Sequence, residues 1–207
     1  MDRQEIIDKV KLRIDEFGPF EEGEVFGSAQ VESLLDDAVN QFLLIIPAFL
    51  PTPTSFADES SSTGGAVPID DYIGYVPLPT GYLRLVSFQM DCWKRAVTEA
   101  ISENDPKYAI QQSTHVRGGV SRPAVVYRYE SGIGKILEYY SVSDNNHDVK
   151  KALCLVTIVA EDLDEFLVDP FTWFAAYLLL DSRGETTGAQ ACLKKTTDWI
   201  TFKTAGL

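Results

Sequence analysis

Apolar residues recur at two different periods along the chain, and the change of period divides it. Ile6, Ile7, Val10 and Ile14 fall at helical spacing with charges between them, which predicts a helix over Arg3 to Phe17 that Gly18-Pro19 ends. Val31, Leu34, Leu35, Ala38, Val39, Phe42, Leu43, Ile45 and Ile46 form one wide stripe, with Glu32, Asp36, Asp37 and Asn40 opposite. That stripe predicts a second amphipathic helix, with Ser28 as N-cap. Pro47, Pro51 and Pro53 close it, because proline lacks the amide that continues a helix.

From Asp70 the period shortens to two. Leu83, Leu85 and Ser87 alternate with Arg84, Val86 and Phe88; weaker alternation follows over Ala96 to Ile101, then Val125, Tyr127 and Tyr129 share a face. Lys135 to Ser141 and Ala152 to Ala160 read as further strands, separated by Gly118-Gly119, Gly132, Gly134 and Ser143-Asp144-Asn145-Asn146. Asp105-Pro106 predicts a short helix with Asp105 capping and Pro106 in first position. Asp169-Pro170 reads the same way, opening an almost wholly apolar helix from Phe171 to Leu180. Gly184 ends it, and Glu185 to Phe202 makes the second arm of a helical hairpin with Ala189, Cys192, Leu193, Thr196, Trp199 and Ile200 inward.

The fold class expected is α+β, a helical bundle carrying an inserted, mostly antiparallel β domain. Residues 1–50 supply the N-terminal helices, 51–69 a flexible arm rich in Pro, Ser and Gly, 70–162 the β-rich insertion and 163–207 the C-terminal hairpin. A helix as apolar as Phe171 to Leu180 is expected to be covered on several sides, by its own bundle or by a neighbouring copy.

The net charge of -13 disfavours adhesion to polyanions such as nucleic acid or anionic lipid. No apolar run approaches the ~20 residues of a membrane span. Met1-Asp2-Arg3-Gln4-Glu5 runs straight into the amphipathic pattern, so no signal peptide is expected. Cys92, Cys154 and Cys192 form no CxxC pair and read as reduced thiols.

Signals for catalysis are thin. A cysteine hydrolase would need Cys154 or Cys192 beside His115, with a carboxylate to orient the ring. Gly132-Ile133-Gly134-Lys135 lacks the order of a phosphate loop and precedes a strand. Glu161-Asp162-Leu163-Asp164-Glu165 lacks the spacing of a calcium loop and reads as a solvated acidic linker. No catalytic residue, cofactor or metal site is therefore expected. A small ligand-binding module is the other alternative, with Tyr127, Tyr129, Tyr139 and Tyr140 facing the ligand. Arg84, Lys94, Arg95, Arg117, Arg122 and Arg128 cluster in the middle of the chain near Trp93. Arg84, Trp93, Arg95, Arg117, Arg122, Trp173 and Trp199 are the candidate interface residues, since Arg and Trp are common anchors of protein contacts.

The order of these elements carries a resemblance. Ile45-Ile46-Pro47, a proline-flanked arm, Leu78-Pro79-Thr80-Gly81-Tyr82-Leu83-Arg84-Leu85, Trp93-Lys94-Arg95-Ala96-Val97, Tyr108 to Gln112, Arg122-Pro123-Ala124-Val125, Leu137-Glu138-Tyr139-Tyr140 and a closing helical hairpin follow one another. In this the chain resembles the head-to-tail connector, or adaptor, proteins of tailed phages, most of all those of crAss-like Bacteroides phages. The resemblance implies a non-enzymatic virion protein, made in the host cytoplasm and placed at the head-tail junction. It implies a homo-oligomeric ring, typically twelve-fold, docked on the portal protein and bearing downstream ring or tail proteins. DNA would pass through the channel without specific binding, and no membrane would be involved.

Overall fold

The computed structural model describes residues 1–16, 26–57, 65–143 and 145–205. Gly18-Pro19, Ser60 to Gly64, Asp144 and the last two residues of the expected tail lie outside that set. The chain is α+β, with helices at both ends and β-sheet between them. It forms two compact units: unit 1 from residues 1–52 and 157–207, and unit 2 from residues 53–156.

Unit 1 contains helices α1 (Arg3–Asp15), α2 (Ser28–Ile45), α4 (Glu165–Ser182) and α5 (Thr186–Thr204). The stripe read from the sequence of α2 is buried at Val31, Leu35, Ala38, Val39, Phe42 and Leu43. Its N-cap is Gly27 rather than Ser28; the Gln30 side chain accepts the Gly27 amide at 3.2 Å. Phe42 meets Phe171 and Phe174 of α4, each with ring centroids 5.8 Å apart. At the other end of α2, Arg183 lies over the Phe26 ring at 3.7 Å and donates to Gln30. So α2 and α4 run antiparallel.

Two expectations for α4 need correction. The helix starts at Glu165, five residues before the Pro170 that was expected to open it. Proline one turn further in forfeits a single amide bond, a smaller loss than leaving Leu167 and Val168 outside the helix, where both are buried. Nor does α4 need a neighbour. Phe171, Trp173, Ala175, Ala176 and Leu180 are all buried within a single chain.

The chain leaves unit 1 after Thr52 and returns at Thr157, and polar side chains fix the return. The Asn40 amide group pairs with the backbone of Ile158, accepting its N–H at 3.0 Å and donating to its carbonyl at 3.2 Å. Asp36 accepts the Ala160 amide at 3.2 Å and two guanidinium N–H groups of Arg3 at 3.0 and 3.3 Å. Arg3 also donates to Glu161 at 2.9 Å. Asp164 takes both the amide (2.8 Å) and the hydroxyl (3.1 Å) of Thr52. The acidic stretch from Glu161 to Glu165 is thus a short 3-10 turn (Ala160–Asp162) and a helix start, not a free linker.

Unit 2 has two sheets around one core. One is three-stranded, β1 (Thr54–Ser55), β8 (Val149–Val156) and β4 (Tyr82–Met90), with β8 central and both pairings antiparallel. The other has five strands in the order β2 (Val67–Pro68), β3 (Ile73–Pro77), β7 (Gly134–Tyr140), β6 (Val125–Glu130) and β5 (Ile101–Ser102). Among the described residues only β5 and β6 pair in parallel. Helix α3 (Pro106–Gln112) follows β5, and the Asp105 carboxylate caps it by accepting the Lys107 amide at 2.8 Å. The expected strand over Ala96 to Ile101 is reduced to a bridge at Val97 and to β5.

Register shifts in β4 at Leu85/Ser87 and Gln89/Met90 explain a departure from simple alternation. The shift at Leu85/Ser87 leaves Val86 unopposed and returns Phe88 to the face of Leu85, where it is buried. Phe88 then sits between Phe56, Tyr139 and the edge of Trp93, at centroid distances of 6.3, 6.1 and 5.7 Å. The expected arm therefore contributes to the core: Phe56 and Ala57 are buried and Thr54 pairs with Cys154. The sheet edges offer little to another copy, because β1, β2 and β5 are two residues long and Val97 bridges β4 at Phe88.

The Arg3 contact holds the Asp36 carboxyl below its usual range, the Ala160 amide adds to this, and burial opposes it. A lowered folded value contributes stability above the unfolded value and loses it as pH falls through the folded one. Unit 1 should therefore weaken on acidification below about pH 4. Asp36→Asn should lower stability at pH 7 by about 1 kcal/mol and flatten that acid limb, as read by urea midpoints across pH.

Candidate functional site

Two surfaces stand out, one on each unit. On unit 1, the antiparallel order brings the end of α2, the start of α4 and the end of α5 to the same end of the bundle. Thr196 of α5 reaches the Pro170 carbonyl at 3.3 Å, and Phe166 stacks on Trp199 with centroids 6.4 Å apart. Phe202 lies three residues beyond Trp199, on the same helical face, and is 77% exposed. Ile45 and Phe49 are also exposed, and the Thr52–Asp164 bonds bring their segment to the residue two before Phe166. Phe166, Trp199 and Phe202 thus make one aromatic strip, and Ile45 and Phe49 are exposed on the stretch that leads from the end of α2 toward Thr52. Lys203 lies 5.6 Å from the Trp199 ring, and α5 carries Lys194, Lys195 and Lys203 against the single acid Asp198.

On unit 2, a cleft of about 400 Å³ is lined by Tyr72, Thr114, Arg117, Gly119, Val120, Ser141 and Val142. A turn after α3 delivers Arg117, whose amide bonds to the Ser113 carbonyl at 3.1 Å. The next two residues favour glycine for different reasons: a Cβ on Gly118 would strike the Arg122 carbonyl oxygen, whereas Gly119 has open space around it but φ +60°. Lys94 donates to the Val120 carbonyl at 3.0 Å and anchors the far side. On the opposite wall, the Asp70 carboxylate accepts the amides of Tyr72 and Ile73, both at 2.7 Å, while Val142 donates to the Tyr72 carbonyl at 3.1 Å. The Arg117 guanidinium lies 5.6 Å from the Tyr72 ring. Arg117 Nη1 and Ser141 Oγ are buried and make no hydrogen bond.

The candidate interface residues separate. Trp93 (3% exposed) and Trp173 (8% exposed) are buried within their own units and offer no face to a partner. Trp93 packs edge-on to Phe88, and Trp173 is covered by the Arg13 guanidinium at 4.3 Å. Arg84 is half-buried, and desolvation lowers its pKa. Arg95 and Arg122 are exposed on unit 2, Arg117 enters the cleft, and Trp199 belongs to the patch on unit 1. Arg128, from the same basic cluster, is turned to carboxylates of its own unit, bonding Glu138 at 3.0 Å.

The tyrosines expected to face a ligand do not form a common face. Tyr139 and Tyr140 are fully buried, while Tyr129 is exposed and Tyr127 stacks on Tyr82. His147 satisfies the Tyr139 hydroxyl at 2.9 Å. Gly132 to Lys135 is the β6–β7 hairpin. Among the described residues, no group of three or more His, Cys, Asp or Glu is placed to hold a metal ion. No helix there is long and apolar enough to cross a membrane. No protein-family model and no curated protein matches the chain.

His115 is exposed, whereas Cys154 and Cys192 are buried. Burial pushes both thiols up to about 11, opposite to the shift a nucleophile needs. At pH 8 each should be roughly one part in a thousand thiolate. A thiol reagent at that pH should modify the half-buried Cys92 first, and Cys154 and Cys192 only after denaturant is added, as followed by peptide mass mapping.

Proposed function

We propose that this chain is a structural subunit of a phage head-to-tail connector, assembling side by side with identical copies into a ring on the portal and presenting a platform to tail proteins. The observation that carries the reading is the aromatic strip of unit 1, Phe166 stacked on Trp199 with the exposed Phe202 one turn further on, together with the exposed Ile45 and Phe49 after α2. Aromatic side chains left together on a surface mark contact sites. The occupant proposed is a second copy. The patch is flanked by a helix with three lysines and one acid, on a chain whose net charge is -13. Any other face of a like copy is on average acidic, so a head-to-tail contact joins unlike charges and repeats around an axis. The order of elements along the chain, which resembles the connector proteins, supplies the particular assembly. The acidic total supports a channel wall that repels phosphates, so that DNA slides without being held.

The ring contact proposed here is not the one the apolar α4 first suggested. Its stretch from Phe171 to Leu180 is already covered, and the residues now assigned to the contact, Phe166 of the first turn of α4 among them, lie at the end of the bundle.

The test is co-purification with the portal, read by native mass spectrometry and electron microscopy. The wild-type chain should form a closed ring on the portal. Phe202→Asp should keep its melting temperature, since the residue is exposed, yet weaken each subunit contact by about tenfold or more. A wild-type chain that stays monomeric with the portal present would defeat the reading, as would a Phe202→Asp chain that assembles normally.

A further inference from the structure

We propose that the cleft of unit 2 binds a small organic carboxylate, with Arg117 and Ser141 as its anchors. Three independent observations lead there. The first is the pair of unmatched polar atoms. Ser141 is only 6% exposed, lines the cleft, and its hydroxyl has no partner; Arg117 Nη1 is buried beside it in the same condition. Buried polar groups left without a partner are costly, and an occupant that accepts hydrogen bonds would recover that cost.

The second is backbone strain at the same place. Ser141 has φ 66°, a left-handed conformation that favours glycine, and it holds the hydroxyl at the cleft. Across the cleft, Gly118 and Gly119 make the turn that sets Arg117.

The third is charge. None of the lining residues is acidic, the Asp70 carboxylate behind Tyr72 is taken up by the Tyr72 and Ile73 amides, and among the described residues no ion pair holds Arg117 on a strongly acidic chain. The Tyr72 ring supports the guanidinium, whose remaining N–H groups can take an anion in a forked contact.

The chemistry of the walls selects the class of anion. One guanidinium and the hydroxyls of Ser141 and Thr114 match the two oxygens of a carboxylate, whereas a phosphate dianion would ask for more donors. Tyr72, Val120 and Val142 offer apolar surface for a hydrocarbon body. About 400 Å³ suits a small molecule. This inference stands on unit 2 alone and holds whether or not unit 1 assembles into a ring.

The experiment titrates the full chain with benzoate and hexanoate, using inorganic phosphate and benzyl alcohol as controls, by amide NMR and calorimetry. Saturable binding of a carboxylate is expected, with shifts centred on Tyr72, Arg117, Ser141 and Val142. Arg117→Ala should weaken it by about tenfold or more. Ser141→Gly removes the hydroxyl while suiting the positive φ, so it should fold at least as stably and still bind several-fold more weakly. The proposal is overturned if neither carboxylate saturates the wild-type chain. It is equally overturned if both variants bind like wild type, or if phosphate or benzyl alcohol binds as tightly as benzoate.

Discussion

A helical bundle interrupted by a second folded unit survives only if the interrupted chain comes back to the place it left. Here the return is specified twice. Within unit 2, the outgoing β1 pairs with the closing β8, Thr54 opposite Cys154, so both ends of the insertion leave side by side. Within unit 1, Asp164 holds the amide and hydroxyl of Thr52, and the Asn40 side chain imitates a strand partner for Ile158. Unit 2 therefore acts on the bundle as a short closed loop, and the entropy of joining distant residues is largely met by its own folding. The clamp is polar and lies at the margin of the bundle. It fixes the start of α4, and through α4 the packing of α2 and α5.

That arrangement decides which apolar residues are hidden. Once α4 is seated, its stretch from Phe171 to Leu180 needs no cover from outside, because Phe42 and the inward faces of α1 and α5 already supply it. Apolar surface instead remains where three helix ends meet and no further helix closes the layer. The remaining aromatics are therefore a consequence of where the bundle stops. They suit a contact between folded copies, as distinct from one that completes a core: each copy can fold first and associate afterwards.

Much of this was legible from periodicity. The α2 stripe, the Asp105 cap of α3, the β6–β7 hairpin and the α+β class follow from spacing and turn residues alone. The start of α4 did not, since a proline reads as a first-turn residue and nothing local shows that burial of Leu167 and Val168 draws the helix further back. Phe88 and Ser87 were unreadable for another reason: a shift of register changes which face a residue takes and leaves no mark in composition. Tryptophan signals contact but not with what, so Trp93 and Trp173 turned inward while Trp199 stayed at the surface. The cleft was half visible. The Arg117-Gly118-Gly119 turn is plain in the sequence, but Tyr72 and Ser141 join it only through tertiary structure, and a strained serine has no local signature.

The uneven distribution of charge ties the two surfaces to the acidic whole. A chain at -13 repels its own copies, and the repulsion falls off over a Debye length of about 8 Å at physiological salt. Association then depends on local exceptions to the average, and α5 is such an exception, with its lysines beside the exposed aromatics. The Arg117 cleft is another, an open recess with one glycine turn on its border and a size that suits a small anion. The same background of carboxylates that discourages random contact with nucleic acid confines anion binding to these local exceptions, because elsewhere the surface potential repels an anion.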